Sequence, residues 1–366
     1  MALKIKDLTS YLEKIAPLGY QESYDNAGLL TGNKDSVIDN VLITLDCTEE
    51  VIDEAITSKC KLVIAHHPII FKGLKKLTGS NYVERTVIKA VKNEIALYAI
   101  HTNLDNVHNG VNRRICDKLG FKNLKILAPK SDLLKKLVVY VPVAHLDKVK
   151  KALFDVGAGN IGNYSECSFS VEGTGTFLGN ENSNPFAGKK GKTSYEKEMR
   201  LETIFPSHLE EKLVMALIKS HPYEEPAYDI FALENVLNRV GAGLIGELDK
   251  ELSKDKFLHH LKSKLNLKQI RFTETTKTTI RKVAVCGGSG SFLLKNALAQ
   301  QADAFVTADF KYHDFFDAEK RLLVADVGHY ESEIFTKELL RDLILEKFPT
   351  FAVLLSKINT NPVNYF

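Results

Sequence analysis

The chain has 366 residues, of which 44% are hydrophobic and 26% charged, and its 49 Lys and Arg against 46 Asp and Glu leave a formal net charge of +3. At about 150 residues per domain this length holds two to three domains with sizeable cores, and the composition excludes collagen-like, coiled-coil and largely disordered chains. The near-balance of charge supplies no basic field for nucleic-acid binding, so a nucleic-acid partner is not expected.

Leu8, Tyr11, Leu12 and Ile15 recur at helical spacing, and Pro17 stops that helix. Asn40 to Asp46 reads as a buried strand, after which Thr48 can cap a helix carrying Val51, Ile52, Ala55 and Ile56 on one face. Leu62 to Ala65 is a second short strand, ending at His66-His67-Pro68. Ser80 can cap a helix through Val83, Val87, Ile88 and Val91, and Ile95 to Ile100 is a third strand, ending at His101-Thr102-Asn103-Leu104-Asp105. The last third repeats the rhythm. Lys282 to Cys286 is a strand followed by Gly287-Gly288-Ser289-Gly290 and a helix through Leu293 to Leu298. Ala304 to Val306 and Leu322 to Ala325 are strands, a long amphipathic helix starts at about Glu331, and Phe351 to Leu355 is a final strand. Strands alternating with helices predict an α/β fold with a parallel or mixed sheet.

The middle differs. Strands are expected over Leu137 to Val143, up to Phe177, Lys197 to Phe205 and Pro226 to Leu233, with helices over His145 to Val156 and Ser207 to Lys219. Gly179 to Lys192 is polar and rich in Gly and Asn, the composition of a mobile loop. The order β-α-β-β-α-β suggests a ferredoxin-like α+β unit over 131–235. It interrupts one α/β domain built from residues 1–130 and 236–366.

The five cysteines, Cys47, Cys60, Cys116, Cys167 and Cys286, are scattered and never spaced C-x-x-C, which argues against a disulfide framework or a cysteine-rich zinc site. The first residues mix charge with short apolar spacing, unlike a signal peptide, and no run approaches the ~18 apolar residues of a membrane span. A cytoplasmic protein without a membrane partner is expected, and any metal must be held by His and carboxylate.

In open α/β sheets, ligands sit beyond the carboxyl ends of the strands. His66, His67, His101 and Asp105 fall there. His329 and Glu333 follow another strand four residues apart, so a helix beginning at His329 puts both on one face. Taken singly, a His pair or an i,i+4 His/Glu more often marks a solvated face than a ligand set. The pair His259-His260, on a helix read as exposed, is assigned nothing. The combination after three separate strands is more telling. If the groups converge, three histidines and two carboxylates are too many for one tetrahedral zinc with an open position. They suit two ions about 3.5–4 Å apart, one carboxylate bridging and water filling the remaining places. Donors without thiolate permit zinc, iron, manganese, nickel or cobalt.

Three further clusters stand on the same terms. Glycines after a strand and before a helix can expose backbone N–H groups to a phosphate or carboxylate, which makes Gly287, Gly288, Ser289 and Gly290 a candidate anion site as well as a plain tight turn. Thr307-Ala308-Asp309 with Tyr312-His313 is a polar cluster at a strand end, where Asp309 can serve as a helix cap. His221-Pro-Tyr-Glu-Glu-Pro226 reads better as a rigid helix-to-strand connection than as a site.

Together, Asp25-Asn26-x-Gly28-Leu29-x-x-Gly32, Ala65-His66-His67-Pro68, His101-Thr102-Asn103-Leu104-Asp105, Gly287-Gly288-Ser289-Gly290, Thr307-Ala308-Asp309-x-x-Tyr312-His313 and Gly328-His329-x-x-x-Glu333 resemble the NIF-three-like dinuclear metal-centre family, often labelled GTP cyclohydrolase I type 2 homologues. The ordered motifs span residues 25 to 333. One departure is Ala308, where many members have Gly. The resemblance implies two divalent metal ions per chain, with zinc, iron or manganese foremost, held by His66, His67, Asp105, His329 and Glu333, the last as bridge. It implies toroidal homohexamers with the metal sites facing the inner cavity. It also implies that the inserted unit is similar to PII and CutA-like proteins. The cyclohydrolase label implies opening of the guanine imidazole ring by metal-activated water, with a nearby His moving protons. His101 is the best-placed candidate and His313 stands behind it, although His101 can equally orient a ligand. Nothing in the sequence reads guanine recognisably. Two readings follow: a metal-dependent hydrolase acting on a small nucleotide-like substrate, which is favoured, and a non-enzymatic metal-binding or regulatory protein that senses a small molecule through its insert.

Overall fold

Leu62–Ala65 and Ala96–Ala99 are buried at every position, the near-continuous apolar pattern of parallel strands covered on both faces. In the computed structural model, which describes residues 3–366, they lie in a five-stranded sheet. Its order is Ala352–Leu355, Asn40–Thr44, Leu62–Ala65, Ala96–Ala99, Gly28–Thr31. The first four strands are parallel and Gly28–Thr31 runs antiparallel at the edge. Val51, Ile52 and Ala55 of helix Glu49–Thr57, with Val87 and Ala90 of helix Tyr82–Lys92, pack on Leu42, Val63 and Leu97 of this sheet.

Helix Glu49–Thr57 is capped by Thr48, as its sequence predicts. Helix Tyr82–Lys92 is capped by Asn81 rather than Ser80, because Ser80 is taken up by Glu84. The Glu84 carboxylate gathers the amide (2.8 Å) and hydroxyl (2.9 Å) of Thr78, the amide (3.1 Å) and hydroxyl (3.0 Å) of Ser80, and Asn81 Nδ2 (2.9 Å). The Thr78 amide and hydroxyl, then the Ser80 amide, outweigh burial and hold the Glu84 carboxyl down at about 2, from an ordinary 4.5. A carboxyl depressed in the folded state contributes stability that is present above its unfolded value and lost as pH falls through the folded one. Glu84→Gln should therefore lower the melting midpoint at neutral pH. It should also flatten the loss of stability between pH 4.5 and 2, a difference that thermal melts of both proteins across that range would show.

The second sheet has six strands, ordered Arg271–Phe272, Leu323–Asp326, Ala304–Ala308, Thr279–Ser289, Gly241–Ser253, Lys122–Pro129. Ala304–Ala308 is parallel to both neighbours and the remaining pairs are antiparallel. Ala284, Phe305 and Val324 of this sheet meet Leu293, Leu294, Ala297 and Phe310 in a common core. Gly241–Ser253 and Lys122–Pro129 are strands that the sequence reading did not anticipate. Gly241, Gly243 and Gly246 and a charged second half break the alternation by which a strand is read. Two expectations at strand ends are corrected. The strand expected to end at Cys286 continues through Ser289, so Gly287 and Gly288 belong to it. The long helix expected from about Glu331 is a short helix His329–Glu333 followed by Thr336–Lys347.

Both sheets belong to one compact unit, formed by the stretch up to Pro129 together with Asn238–Phe366. The second unit is Lys130–Leu237. It has a four-stranded antiparallel sheet ordered Tyr228–Ala232, Leu134–Pro142, Thr193–Pro206, Ser168–Leu178, with helices Leu146–Val156 and Glu210–Ser220. Leu137, Val139 and Val141, every second residue of one central strand, and Leu201 and Phe205, of one parity in the other, pack on Val149, Leu153, Leu213 and Leu217 of the helices. Among the described residues, no helix is long and apolar enough to cross a membrane.

Candidate metal centre

Both sheets of the larger unit direct the carboxyl ends of parallel strands at one place. From the first sheet come Asp46 after Asn40–Thr44, His66 and His67 after Leu62–Ala65, and His101 after Ala96–Ala99. Asp105 closes the helical turn Thr102–Asp105. From the second come Asp309 after Ala304–Ala308, and His329 and Glu333 on the helix that Gly328 opens after Leu323–Asp326. Starting that helix at His329 places the two side chains one turn apart on a common face, as the four-residue spacing predicts.

Glu333 is 4% exposed at its side chain and stands between two donor sets. Its Oε2 lies 3.0 Å from His67 Nε2 and 3.0 Å from His329 Nε2. Its Oε1 lies 3.9 Å from His66 Nε2, which is itself 3.7 Å from Asp105 Oδ1. Two groups of potential ligand atoms result, His67–His329–Glu333 and His66–Asp105–Glu333, and they share Glu333. Donors about 2.0–2.2 Å from a tetrahedral ion stand roughly 3.3–3.6 Å from one another, close to these separations. His101 joins a third group with His66 and His67.

The other side of each ring is already committed. His66 Nδ1 bonds the Ile100 carbonyl (2.8 Å), His67 Nδ1 meets Asp46 Oδ1 (2.7 Å), His101 Nδ1 meets Asp25 Oδ1 (2.8 Å) and His329 Nδ1 meets Asp309 Oδ2 (2.7 Å). Each acceptor requires a proton on Nδ1, so Nε2 is the atom each ring turns toward the cluster, free to bind an ion once any proton there is released. That is how an imidazole is oriented and made more basic for an ion. His66 Nε2 and Asp105 Oδ1 are sealed from solvent with no hydrogen-bond partner. Such orphans are costly when left unpaired, and a cation satisfies both. The residues therefore fit divalent ions.

The electrostatics agree. Burial opposes the charge on His329, but its hydrogen bonds to Asp309 and Glu333 raise it to about 11, and Asp46 and Glu333 likewise raise buried His67 to about 9. Burial and the charge of Glu333 push Asp105 well above the carboxylate range. Burial would also raise Glu333, but its hydrogen bonds with His329 and His67 and the nearby His66 ring hold it well below. Asp25, despite burial, is held at about 2 by His101 and Thr102. The cluster thus gathers protons where cations would sit. Cys286 lies nearby, but burial and the charges of Asp105 and Glu333 keep it a thiol, leaving oxygen and nitrogen donors.

Asp25, Asp46 and Asp309 each hold a histidine of the cluster, contacts that residue reasoning missed. In the sequence Asp25 stands only within a motif, Asp46 only ends a strand, and Asp309 suits a helix cap. Their common signal was a carboxylate just beyond a strand or loop facing a histidine. Asp46 also accepts a bond from the Thr360 hydroxyl at 2.6 Å, tying the C-terminal segment to His67. Asp46→Ala should lower metal affinity about 10–100-fold without removing a ligand, as measured by titration against a competing chelator.

Two candidates are not brought into the centre. His313 is exposed, with Tyr312 and Phe316 as its ring neighbours. Gly287 and Gly288 do not form an open anion cradle, because their amides are taken by Asn112 Oδ1 (2.9 Å) and Ser332 Oγ (3.0 Å). Gly290 meets Cys286 and Thr307, and Ser289 is the last residue of its strand. Gly288 is needed for another reason. At φ +61° a Cβ there would lie 2.3 Å from Glu333 Oε1, so the missing side chain leaves room for the carboxylate.

The Duf34/NIF3 (NGG1p interacting factor 3) family matches residues 3–362 of the chain. A Halalkalibacterium halodurans protein named GTP cyclohydrolase 1 type 2 homolog is 41% identical over 358 residues, 96% of each chain. A Bacillus subtilis protein of the same name is 39% identical over 366 residues, 98% of each. A crystal structure of a Bacillus cereus protein related to NIF3 superimposes with a TM-score of 0.84 at 37% identity, covering 100% of both chains.

Proposed function

The chain belongs to the Duf34/NIF3 family, and from that premise we propose that it holds two divalent metal ions and works as a metal-dependent hydrolase on a small nucleotide-like substrate. The observation that carries this reading is Glu333, whose two oxygens face two donor sets. We assign one ion to His66, Asp105 and Glu333 and the other to His67, His329 and Glu333. Bound there, the ions supply Lewis acidity and an activated water. His101, oriented by Asp25, is the proton carrier. A cavity of ≈ 700 Å³ opens beside His67, His101 and His329. Phe71, Tyr330 and Tyr365 line it with aromatic rings, and Arg271, half exposed although paired with Asp326, offers a guanidinium to an anionic group. That mixture suits a heterocycle carrying phosphate.

The test compares purified wild type with Asp105→Ala for metal content by mass spectrometry and for turnover of a nucleotide panel that includes GTP. About two ions per chain and hydrolysis of a panel member, both reduced in the variant, is the expected result. A metal-free wild-type protein, or turnover unchanged in the variant, would overturn the reading.

We further read the insert as a ferredoxin-like unit. Its order β-α-β-β-α-β, with the first strand between the third and the last, supports this. A toroidal homohexamer is carried over from the family resemblance, and mass in solution tests it. Five free cysteines support a reducing, cytoplasmic location. The alternative, a non-enzymatic sensor, is favoured by one observation, a cleft in the insert lined by aromatic rings and a buried carboxylate.

A further inference from the structure

Strands Leu134–Pro142 and Thr193–Pro206 bury one face under the helices of the insert, through Leu137, Val139, Val141, Leu201 and Phe205. Tyr140, Glu198 and Arg200 have the opposite parity, so they stand on the other face. There Glu198 pairs with Gly173, and Arg200 with Val171 and Tyr140. A cleft of ≈ 630 Å³ lies over this face, closed by the loop around Phe186 and by Tyr223 and Glu224 of the His221–Pro226 connection.

We propose that this cleft is a binding site for an organic cation, an ammonium group with apolar substituents, held by the Glu198 carboxylate inside an aromatic cage of Phe177, Phe186 and Tyr223. Glu198 is only 7% exposed. One of its oxygens, Oε1, accepts the Tyr223 hydroxyl at 2.8 Å, and among the described residues no hydrogen bond or ion pair engages Oε2, which borders the cleft. A buried carboxylate retained with a free oxygen facing a cavity calls for a cationic or donor group. Arg200, which also lines the cleft, pairs through Nε with Glu202 at 3.0 Å rather than with Glu198. The other carboxylates lining the cleft are Glu172, Glu224 and Glu225, so four acids face one guanidinium.

The cage is built rather than incidental. His221 Nε2 donates to the Tyr140 carbonyl (3.0 Å), and its Nδ1 then accepts the Tyr223 amide (3.1 Å), which fixes Tyr223 over the sheet. Glu224 accepts the Asn184 amide (2.8 Å) and so ties the Phe186 loop to the same connection. Phe177 and Phe186 lie 6.0 and 6.1 Å from Tyr223 between ring centroids, tilted by 58° and 45°. Rings inclined in this way surround a convex group, whereas a flat base would need parallel faces. An ammonium with methyl groups is such a convex group, and ring faces attract it.

The glycines of strand Ser168–Leu178 keep the floor open. A Cβ at Gly175 would lie 2.0 Å from Glu198 Oε2, displacing the carboxylate. A Cβ at Gly173 would meet nothing within 4 Å, so a large side chain there fills the cleft with no clash at its root.

The experiment is isothermal titration of the full chain with choline and with 3,3-dimethyl-1-butanol, its neutral analogue of the same shape. The expected result is saturable binding of choline at one per chain, with the alcohol at least about tenfold weaker. Glu198→Gln should weaken choline about tenfold or more, and Gly173→Phe should abolish it. Melting behaviour and metal content should stay unchanged in both variants, which separates this site from the metal centre. No saturable heat with choline, equal binding of the alcohol, or unaltered affinity in a folded Gly173→Phe protein would overturn the proposal.

Discussion

Glu333→Gln should strip both of the proposed ions from the protein in one step. Each donor set contains this carboxylate, so its loss leaves His67 and His329 on one side and His66 with Asp105 on the other. Removing only an outer partner of a ligand costs about 10–100-fold in affinity. Losing a shared ligand should exceed the upper end of that range for both ions together. Metal content after dialysis should fall to background, whereas Asp46→Ala retains metal at higher free concentrations. The metal-free protein should suffer as well. Glu333 is 4% exposed and lies 3.0 Å from two imidazoles that carry protons up to about pH 9 and about 11. Breaking a buried charge pair by removing one partner costs about 3–5 kcal/mol, because the other charge stays buried without compensation. The substitution should thus lower the melting midpoint in chelator. The effect has a pH signature, since groups raised in the folded state contribute stability below their unfolded values and lose it as pH rises through the folded ones. The wild-type advantage in chelator should decline as pH climbs from about 6.5 through about 9 and on toward about 11. A variant that keeps metal, or matches wild-type stability in chelator, would remove the shared-ligand assignment.

The legibility of this centre in the sequence was uneven for physical reasons. His66, His67 and His101 announced themselves because short apolar runs mark parallel strands and the residues after them must lie at the sheet's carboxyl edge. The i,i+4 spacing of His329 and Glu333 became meaningful only because the helix starts at His329, a fact that Gly328 at φ +91° sets and that periodicity does not. Asp46 and Asp309 were lost to the commonest roles of Asp at strand ends. Their partners are 21 and 20 residues away in the chain, beyond any local pattern. Gly287 and Gly288 were legible only as a turn or a backbone N–H cradle, not as glycines that a side chain approaches closely. The approaching group is a carboxylate 45 residues downstream of Gly288. Gly241–Ser253 escaped because its register is set by neighbours on both sides and not by its own alternation. Positions that depend on one element's own periodicity were readable, and those that depend on two elements meeting were not.

The second carboxylate should behave in the opposite sense to Glu333. Asp105→Asn should weaken metal binding at the His66 side while making the metal-free protein more stable. Glu333 is held charged by three imidazoles, but Asp105 is pushed up by burial and by the charge of Glu333, and its Oδ1 has no partner. A carboxyl raised in the folded state costs stability at any pH above its unfolded value, about 3.8, and the cost grows until pH passes the folded value. The amide is nearly the same size and carries no charge to bury. It can donate toward His66 Nε2, 3.7 Å from the oxygen it replaces. Relief of this kind at a strained functional site is worth about 0.5–2 kcal/mol. In chelator, the variant should melt above wild type at neutral pH, and the difference should vanish as pH falls below about 4. In saturating metal the order should reverse, because ligand binding stabilises only the protein that binds it. Metal uptake by the wild type must also release the Asp105 proton, so apparent affinity should rise with pH more steeply than in the variant. Two carboxylates within one cluster, one stabilising the metal-free fold and one destabilising it, are what a site built to bind a cation should show. A structural ion-pair network would instead lose stability at either position. Equal losses from Glu333→Gln and Asp105→Asn in chelator would therefore favour the network over the metal centre.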